Sequence, residues 1–183
     1  MNIIITGCLG HIGSALSRKL IKQGYNLIGI DNFNTQRYVS LRGIIKNKKF
    51  KFLEIDLAKI RLDDLSLLLK KFDISAWIHL SALTNAAKSF NFKKELINNN
   101  LNSTKLAISY CEQNDIQLIF PSSTSVYGSA ENEVNEDSDK FLNPQSPYAE
   151  CKIEEEVALQ MSSLKYYQIL RLGKIFGVSP GMR

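Results

Sequence analysis

A tyrosine and a lysine stand four residues apart in the stretch SPYAECKIEEE, which runs from Ser146 to Glu156. On a helix this spacing places Tyr148 and Lys152 on one face, one turn apart. A phenol beside an ammonium group can act as a base, because the positive charge favours the phenolate. Of the 7 tyrosines in the chain, Tyr148 alone has a lysine four residues on. The pair by itself is a weak signal, since two side chains on a solvated helix face would show the same spacing.

A glycine-rich segment, TGCLGHIG, joins an apolar run to a helical pattern near residue 10. Gly7, Gly10 and Gly13 have the spacing of a dinucleotide-binding loop. There the first glycine permits a tight turn, the second lets the backbone approach a pyrophosphate, and the third lets helix and strand pack closely. The N-terminus of the following helix offers free N–H groups to the phosphates. A glycine-rich turn without a ligand is the alternative.

Acidic residues end the next two predicted strands. The dinucleotide fingerprint places a carboxylate about 20 residues beyond the loop, and Asp31 stands there. It would accept hydrogen bonds from the adenosine ribose and repel a 2′-phosphate, which favours NAD over NADP; Arg37 and Arg42 could soften this preference. A turn or cap role is the alternative for Asp31. Asp56 could meet the adenine amino group or cap the helix near residue 59.

Small and hydroxylated residues end the fourth and fifth predicted strands. In HLSALTN, Ser81 and Ala82 would let the backbone lie against a dinucleotide, whereas His79 is expected to be packed within its strand. In PSSTSVYG, Ser123 is one of several hydroxyl groups at a strand end. Ligands bind at the carboxyl ends of parallel strands, so these hydroxyls should lie near the nicotinamide end of a bound dinucleotide.

Apolar runs alternate with helical patterns along the whole chain, and this alternation predicts the fold. It predicts an α/β, Rossmann-like, doubly wound parallel sheet with helices on both faces. The length of 183 residues fits one NAD(P)-binding domain over residues 1–183. The predicted strands are 2–6, 26–30, 51–55, 76–81, 117–123 and 167–176, and the predicted helices are 11–24, 61–72, 86–113 and 147–163.

Composition argues against several other classes of protein. The net charge of +5 is modest, and the basic run KNKKFK lacks an accompanying RNA-binding motif, so no nucleic-acid partner is expected. No apolar run approaches the roughly 18 residues of a membrane span, so no membrane partner is expected. Cys8, Cys111 and Cys151 are odd in number and far apart, which predicts no disulfide framework, no metal site and a reducing, cytoplasmic setting.

Six motifs occur in the order found in extended short-chain dehydrogenases/reductases: TGCLGHIG, HLSA, NNLNST, PSSTSVYG, SPYAECK and LRLGKIFG. More narrowly, nearly the whole chain resembles the NAD-dependent nucleotide-sugar epimerase/dehydratase family. The resemblance implies NAD as cofactor, a nucleotide sugar as substrate, and Ser123, Tyr148 and Lys152 as catalytic residues. It also implies a homodimer that pairs the helical segments 86–113 and 147–163, with Ile97, Leu101 and Leu106 as candidate contacts.

The resemblance further implies a set of cofactor contacts along the chain. Asn100 matches the first residue of the family's N-V-x-G-T motif, although Leu101 and Ser103 replace its valine and glycine. Lys174 stands where many members have asparagine. The implied cofactor-binding residues are Gly7, Gly10, His11, Ile12, Gly13, Asp31, Asn32, Asp56, Leu57, Leu80, Ser81, Ala82, Asn100, Tyr148 and Lys152.

The resemblance favours epimerisation within the family. Its 4,6-dehydratases carry an acidic residue directly after the catalytic serine or threonine, whereas Thr124 and Ser125 follow Ser123 here. A reductase or dehydratase of the same family is an alternative. Members usually continue into a substrate-holding lobe, so we expect that lobe to be missing or truncated here and turnover of sugar to be low. A non-catalytic NAD-binding fragment or regulator is the remaining alternative.

Overall fold

A computed structural model describes residues 1–84, 89–129, 134 and 141–182 of the protein. Among these residues, six parallel strands form one sheet. The strands are β1 (Asn2–Thr6), β2 (Asn26–Asp31), β3 (Phe50–Glu54), β4 (Ile74–His79), β5 (Gln117–Ser123) and β6 (Tyr167–Leu172). Their order, β3-β2-β1-β4-β5-β6, reverses between β1 and β4, where a doubly wound sheet opens its ligand crevice. The predicted fold class is confirmed.

Helices cover both faces of the sheet, as predicted. The α-helices of the described residues are α1 (His11–Lys22), α2 (Leu62–Leu69), α3 (Lys93–Asn114) and α4 (Pro147–Gln160). The sequence marks the start of α4 clearly, because the Ser146 hydroxyl accepts a hydrogen bond from the Ala149 N–H and Pro147 occupies the first turn. None of the described helices is both long enough and apolar enough to cross a membrane.

Two apolar cores separate the sheet from its helices. Ile4, Ile28, Trp77 and Phe120 face a core that α2, α3 and α4 complete on one side of the sheet. A smaller core on the other side is completed by α1 and by the segment that leads to β3. His79 is buried in β4 with hydrogen-bond partners on both ring nitrogens, which confirms the expectation that it is packed within the strand.

Several predicted element boundaries were wrong. The strand predicted over 76–81 ends at His79, so the residues after it form a loop against β1. The strand predicted over 167–176 ends at Leu172, because the chain then leaves the sheet and turns back over the glycine loop. The helix predicted from residue 86 begins at Lys93; residues 86–88 of that prediction lie outside the described residues.

The suggestion that Asp56 caps a helix was also wrong. The residue that precedes α2 is Arg61, whose side chain makes no capping hydrogen bond. The Asp56 carboxylate instead accepts a hydrogen bond from the Ala58 N–H at 3.1 Å and lies 3.1 Å from the Lys59 ammonium. Asp56 therefore closes a turn between β3 and α2, and its carboxylate stays on the side of the sheet where the strands end.

Candidate active site

Two of the three glycines after β1, Gly7 and Gly13, stand where no other residue would fit. Gly7 has a φ of +62°, and a Cβ there would lie 2.6 Å from the carbonyl oxygen of Leu80. A Cβ on Gly13 would lie 2.2 Å from the carbonyl oxygen of Gly7. Both separations are too short for real atoms, so the loop requires glycine at both positions. The result is a backbone that passes closely between β1, β4 and the start of α1.

A cavity of about 600 Å³ opens above this loop, at the carboxyl ends of β1, β2 and β4. No side chain caps the first turn of α1, which leaves its N–H groups available to an anion. The cavity brings together most of the residues predicted to bind a dinucleotide. Those in its wall are Gly7, Gly10, His11, Ile12, Gly13, Asp31, Asn32, Leu80, Ser81 and Ala82.

Asp31 lies at the end of β2 in the wall of this cavity. Its two carboxylate oxygens accept hydrogen bonds from the backbone N–H groups of Leu9 and Phe33, each at 3.1 Å. Burial raises the pKa of Asp31, while these hydrogen bonds and the charge of Arg37 act in the opposite direction. Arg37 also lines the cavity. The carboxylate therefore tethers the glycine loop and lines the cavity.

Five predicted cofactor residues are not among those that line this cavity: Tyr148 and Lys152 on α4, and three others. Asp56 lines a second cavity, of about 900 Å³, that Asn32 also borders. Leu57 is buried within the larger core. Asn100 is fully buried, and its side-chain amide accepts from the Leu83 N–H at 2.8 Å and donates to the Leu83 carbonyl at 3.1 Å. Leu83 belongs to the loop after β4, so Asn100 shapes the cavity wall through that loop.

The proposed catalytic residues come together where β5 meets α4. Ser123 ends β5, and its hydroxyl lies near enough to the phenol of Tyr148 to lower the pKa of that phenol. Burial raises the pKa of Tyr148, whereas the positive charge of Lys152 and the hydroxyl of Ser123 lower it. Burial is the largest of these effects, and the charge of Lys152 opposes it, as expected from the sequence.

Lys152 lies almost wholly inside the protein, with 3% of its surface exposed. Its ammonium nitrogen is 3.0 Å from the Glu155 carboxylate, 3.3 Å from the Pro121 carbonyl oxygen and 4.4 Å from the centre of the Phe120 ring. Burial favours the neutral amine, but the negative charge of Glu155, together with that of ionised Tyr148, leaves the pKa of Lys152 raised. Lys152 is therefore a charged group in this interior.

Residues 3–183 match the model of the NAD dependent epimerase/dehydratase family. The chain belongs to this family. That assignment confirms the resemblance inferred from the motifs and their order.

Relatives within the family are similar over most of this chain. Protein CapI of Staphylococcus aureus is 33% identical over 171 residues, which are 91% of this chain and 51% of CapI. The bifunctional protein GAL10 of Pachysolen tannophilus is 32% identical, over 82% of this chain and 22% of GAL10. The chain thus spans about half of CapI and less of GAL10.

Solved structures of epimerases share the fold and hold the cofactor. The UDP-glucuronic acid 4-epimerase of Bacillus cereus, in complex with NAD, has a TM-score of 0.83 and 29% identity. The match covers 100% of this chain and 60% of that one. The family is NAD dependent and this relative holds NAD, so the prediction of NAD as cofactor is confirmed. The uncapped start of α1, the glycine turn and the Asp31 carboxylate fit a dinucleotide.

Part of this family member's cavity wall was missed at the sequence level. Ile175, Phe176 and Met182 line the cavity, and the N–H of Gly181 donates to the Ser14 hydroxyl at 3.0 Å. A Cβ on Gly181 would lie 2.2 Å from the Gly10 carbonyl oxygen, so this segment packs directly on the glycine loop. The Pro-Gly pair after the last strand was the one available signal, since glycine often marks a close backbone approach.

A second buried ion pair supports the same end of α4. The Arg171 guanidinium of β6 donates to the carboxylate of Glu156, with a shortest distance of 2.6 Å. Arg171 also donates to the Tyr127 hydroxyl at 2.8 Å, and Ser122 donates to Glu156. These contacts join α4, β5 and β6 next to Ser123.

Among the residues that the structure describes, no group of three His, Cys, Asp or Glu side chains could hold a metal ion.

Proposed function

We propose that this chain is the cofactor-binding part of an NAD-dependent nucleotide-sugar epimerase, with Ser123, Tyr148 and Lys152 as its catalytic residues. The observation that carries the proposal is that the Ser123 hydroxyl and the charge of Lys152 both act on the phenol of Tyr148, one from the end of β5 and the other from α4. Ser123 ends β5 and the other two residues belong to α4, in a family member whose cavity suits NAD.

In this proposal Tyr148 accepts the proton of a sugar hydroxyl and returns it in the reverse step. NAD, when bound, supplies the acceptor and donor of hydride. The carbon that carries the hydroxyl group becomes a carbonyl carbon only if it loses a hydride and the hydroxyl group loses its proton. Because burial holds the pKa of Tyr148 above its ordinary value, the phenolate depends on every positive charge and hydrogen bond around it. The hydroxyl of Ser123 stabilises the phenolate and orients the reacting oxygen.

The residues after Ser123 support epimerisation over dehydration. Thr124 and Ser125 begin the short 3-10 helix that follows β5, and the Ser125 N–H donates to the Ser123 hydroxyl at 3.2 Å. Neither side chain is an acid that could protonate a departing hydroxyl group. An epimerase needs proton transfer at one oxygen only, which the three proposed residues provide.

A UDP-sugar is the substrate class we propose. The UDP-glucuronic acid 4-epimerase of Bacillus cereus has been solved with UDP-glucuronic acid and NAD, at a TM-score of 0.82 and 30% identity over 93% of this chain. A cytoplasmic location fits the three free, buried cysteines. The alternative is a cofactor-binding unit without turnover of its own. The observation that favours it is that the match covers only 51% of CapI.

The test measures NAD⁺ binding and sugar turnover by the purified protein and by Tyr148→Phe. Stabilisation by NAD⁺ is followed by thermal unfolding, and interconversion of UDP-glucose or UDP-glucuronate epimers by NMR. We expect both proteins to bind NAD⁺, and we expect turnover of sugar to be low in the wild type and absent in Tyr148→Phe. Binding without turnover by the wild type would favour the cofactor-binding unit. Turnover by Tyr148→Phe equal to the wild type would contradict the assignment of Tyr148.

A further inference from the structure

Glu155 is a carboxylate with no exposed surface, three residues after Lys152 on α4. One carboxylate oxygen accepts a hydrogen bond from the Thr104 hydroxyl of α3 at 2.6 Å. The other oxygen lies 3.0 Å from the ammonium nitrogen of Lys152. Within the described residues that second oxygen has no further hydrogen-bond partner. Lys152 is therefore the group that balances the charge of Glu155.

We propose that Glu155 is a positioning residue of this active site, whose buried carboxylate keeps Lys152 charged and holds its ammonium group in place. Burial acts strongly against a charged amine, and an isolated lysine in such an interior tends to lose its proton. A carboxylate at 3.0 Å opposes that loss. The significance for catalysis rests on the function proposed above, in which the charge of Lys152 acts on Tyr148.

Hydrogen bonds link Glu155 to the wall of the cofactor cavity. Thr104, which donates to Glu155, also lies 3.3 Å from Nε2 of His79, and Nδ1 of His79 lies 3.2 Å from the Thr6 hydroxyl. That hydroxyl accepts a hydrogen bond from the N–H of Ser81, which lines the cavity. The chain of contacts crosses β1, β4 and α3. The position of Glu155 is thus fixed relative to the cavity wall, and the ion pair with Glu155 fixes the position of Lys152.

Other titratable groups surround the pair. Tyr148 and Cys151 belong to α4, and the negative charge of Glu155 is among the causes that raise the pKa of each. His79 of β4 faces the pair from the sheet, and its pKa is lowered to about 3, first by burial and then by the charge of Lys152. His79 is therefore neutral near pH 7 and does not compete with Glu155 as a counter-ion.

The direct test is the titration of Lys152 itself, which requires neither cofactor nor substrate. Lysine labelled with ¹³C at the ε position is followed by NMR from pH 6 to 12, and the Lys152 signal is assigned by its loss in Lys152→Arg. In Glu155→Gln we expect Lys152 to lose its proton at lower pH than in the wild type. The control is Glu154→Gln, an exposed neighbour on the same helix, which should leave the titration of Lys152 unchanged.

An unchanged Lys152 titration in a folded Glu155→Gln protein would overturn the proposal. If that variant does not fold, the melting temperatures of Lys152→Met, Glu155→Met and the double variant decide. A double variant that melts above at least one single variant shows that the two charges are coupled, because each single change leaves an uncompensated buried charge. Additive losses, or a double variant that does not fold, would overturn it. Neither measurement depends on NAD⁺ or sugar, so failure of the proposed function is a separate outcome.

Discussion

The carboxylate of Asp31 accepts a hydrogen bond from the backbone N–H of Leu9, inside the glycine loop, at 3.1 Å. The end of β2 thus holds the turn that follows β1, and the carboxylate that fixes the loop is also the group proposed to hold the adenosine ribose. Because the two roles share one carboxylate, removing it should affect the loop and the cofactor together.

Asp31→Ala should weaken binding of NAD⁺ and reduce discrimination against NADP⁺. Hydrogen bonds to a charged group are worth about 1.5–3 kcal/mol each, so a loss of about tenfold to hundredfold in NAD⁺ affinity is expected. The measurement is calorimetric titration with each cofactor. Asp64→Ala, which removes an exposed carboxylate on α2, serves as the control and should bind NAD⁺ normally. Stronger stabilisation of the native protein by NADP⁺ than by NAD⁺ would contradict the role of Asp31.

Gly13→Ala should destabilise the protein and impair NAD⁺ binding. The added Cβ would lie 2.2 Å from the Gly7 carbonyl oxygen and 2.8 Å from Cys8 Cα, both of them backbone atoms. Overpacking of this kind costs about 1–3 kcal/mol, which urea unfolding can resolve. Gly173→Ala is the matched control, since a Cβ there meets nothing within 4 Å. Equal urea midpoints for the two variants would argue against the close packing of the loop.

His79 should make the stability of the protein depend on pH above the range where carboxylates titrate. The pKa of His79 is about 3 in the folded state, and that of an unfolded histidine is about 6.5. As pH falls below 6.5, His79 becomes protonated in the unfolded chain but stays neutral in the folded protein. The free energy of unfolding therefore falls. Between pH 7 and pH 5 the loss is about 2 kcal/mol. Urea unfolding of the wild type and His79→Gln should show this slope only in the wild type; equal slopes would contradict it.

A homodimer through α3 and α4 should be broken by a charge on the outer face of α3. Ile97, Leu101 and Leu106 are all partly buried, and Leu106 also packs against the core, so Leu101 is the candidate chosen for the test. Leu101→Glu should halve the mass measured by light scattering at micromolar concentration without unfolding the protein. Leu67→Glu, at a position on α2 that is 66% exposed, should leave the mass unchanged. A monomeric wild type would refute the dimer.

Features that depend on short stretches of chain could be predicted from the sequence. The glycine turn needs three residues within one loop, and the parallel sheet follows from apolar strands alternating with amphipathic helices. Asp31 could be assigned to the cavity because a residue at the carboxyl end of a strand next to the switch point lies beside the ligand crevice. The contact made by Asn100 was harder to predict. The sequence correctly places Asn100 on a helix, but its side-chain amide forms hydrogen bonds with Leu83, in the loop after β4.

Features that depend on distant parts of the chain required the tertiary structure. The end of β6 is one of them. The segment beyond β6 is held on the glycine loop by the hydrogen bond from the Gly181 N–H to the Ser14 hydroxyl, which joins residues 167 positions apart. Burial of the active-site pair is the other. The four-residue spacing brought Tyr148 and Lys152 together, but only the packing of α4 against α3 and the sheet placed Glu155 inside with them. Spacing determines which groups are neighbours, whereas their proton affinities depend on how much water the whole fold excludes.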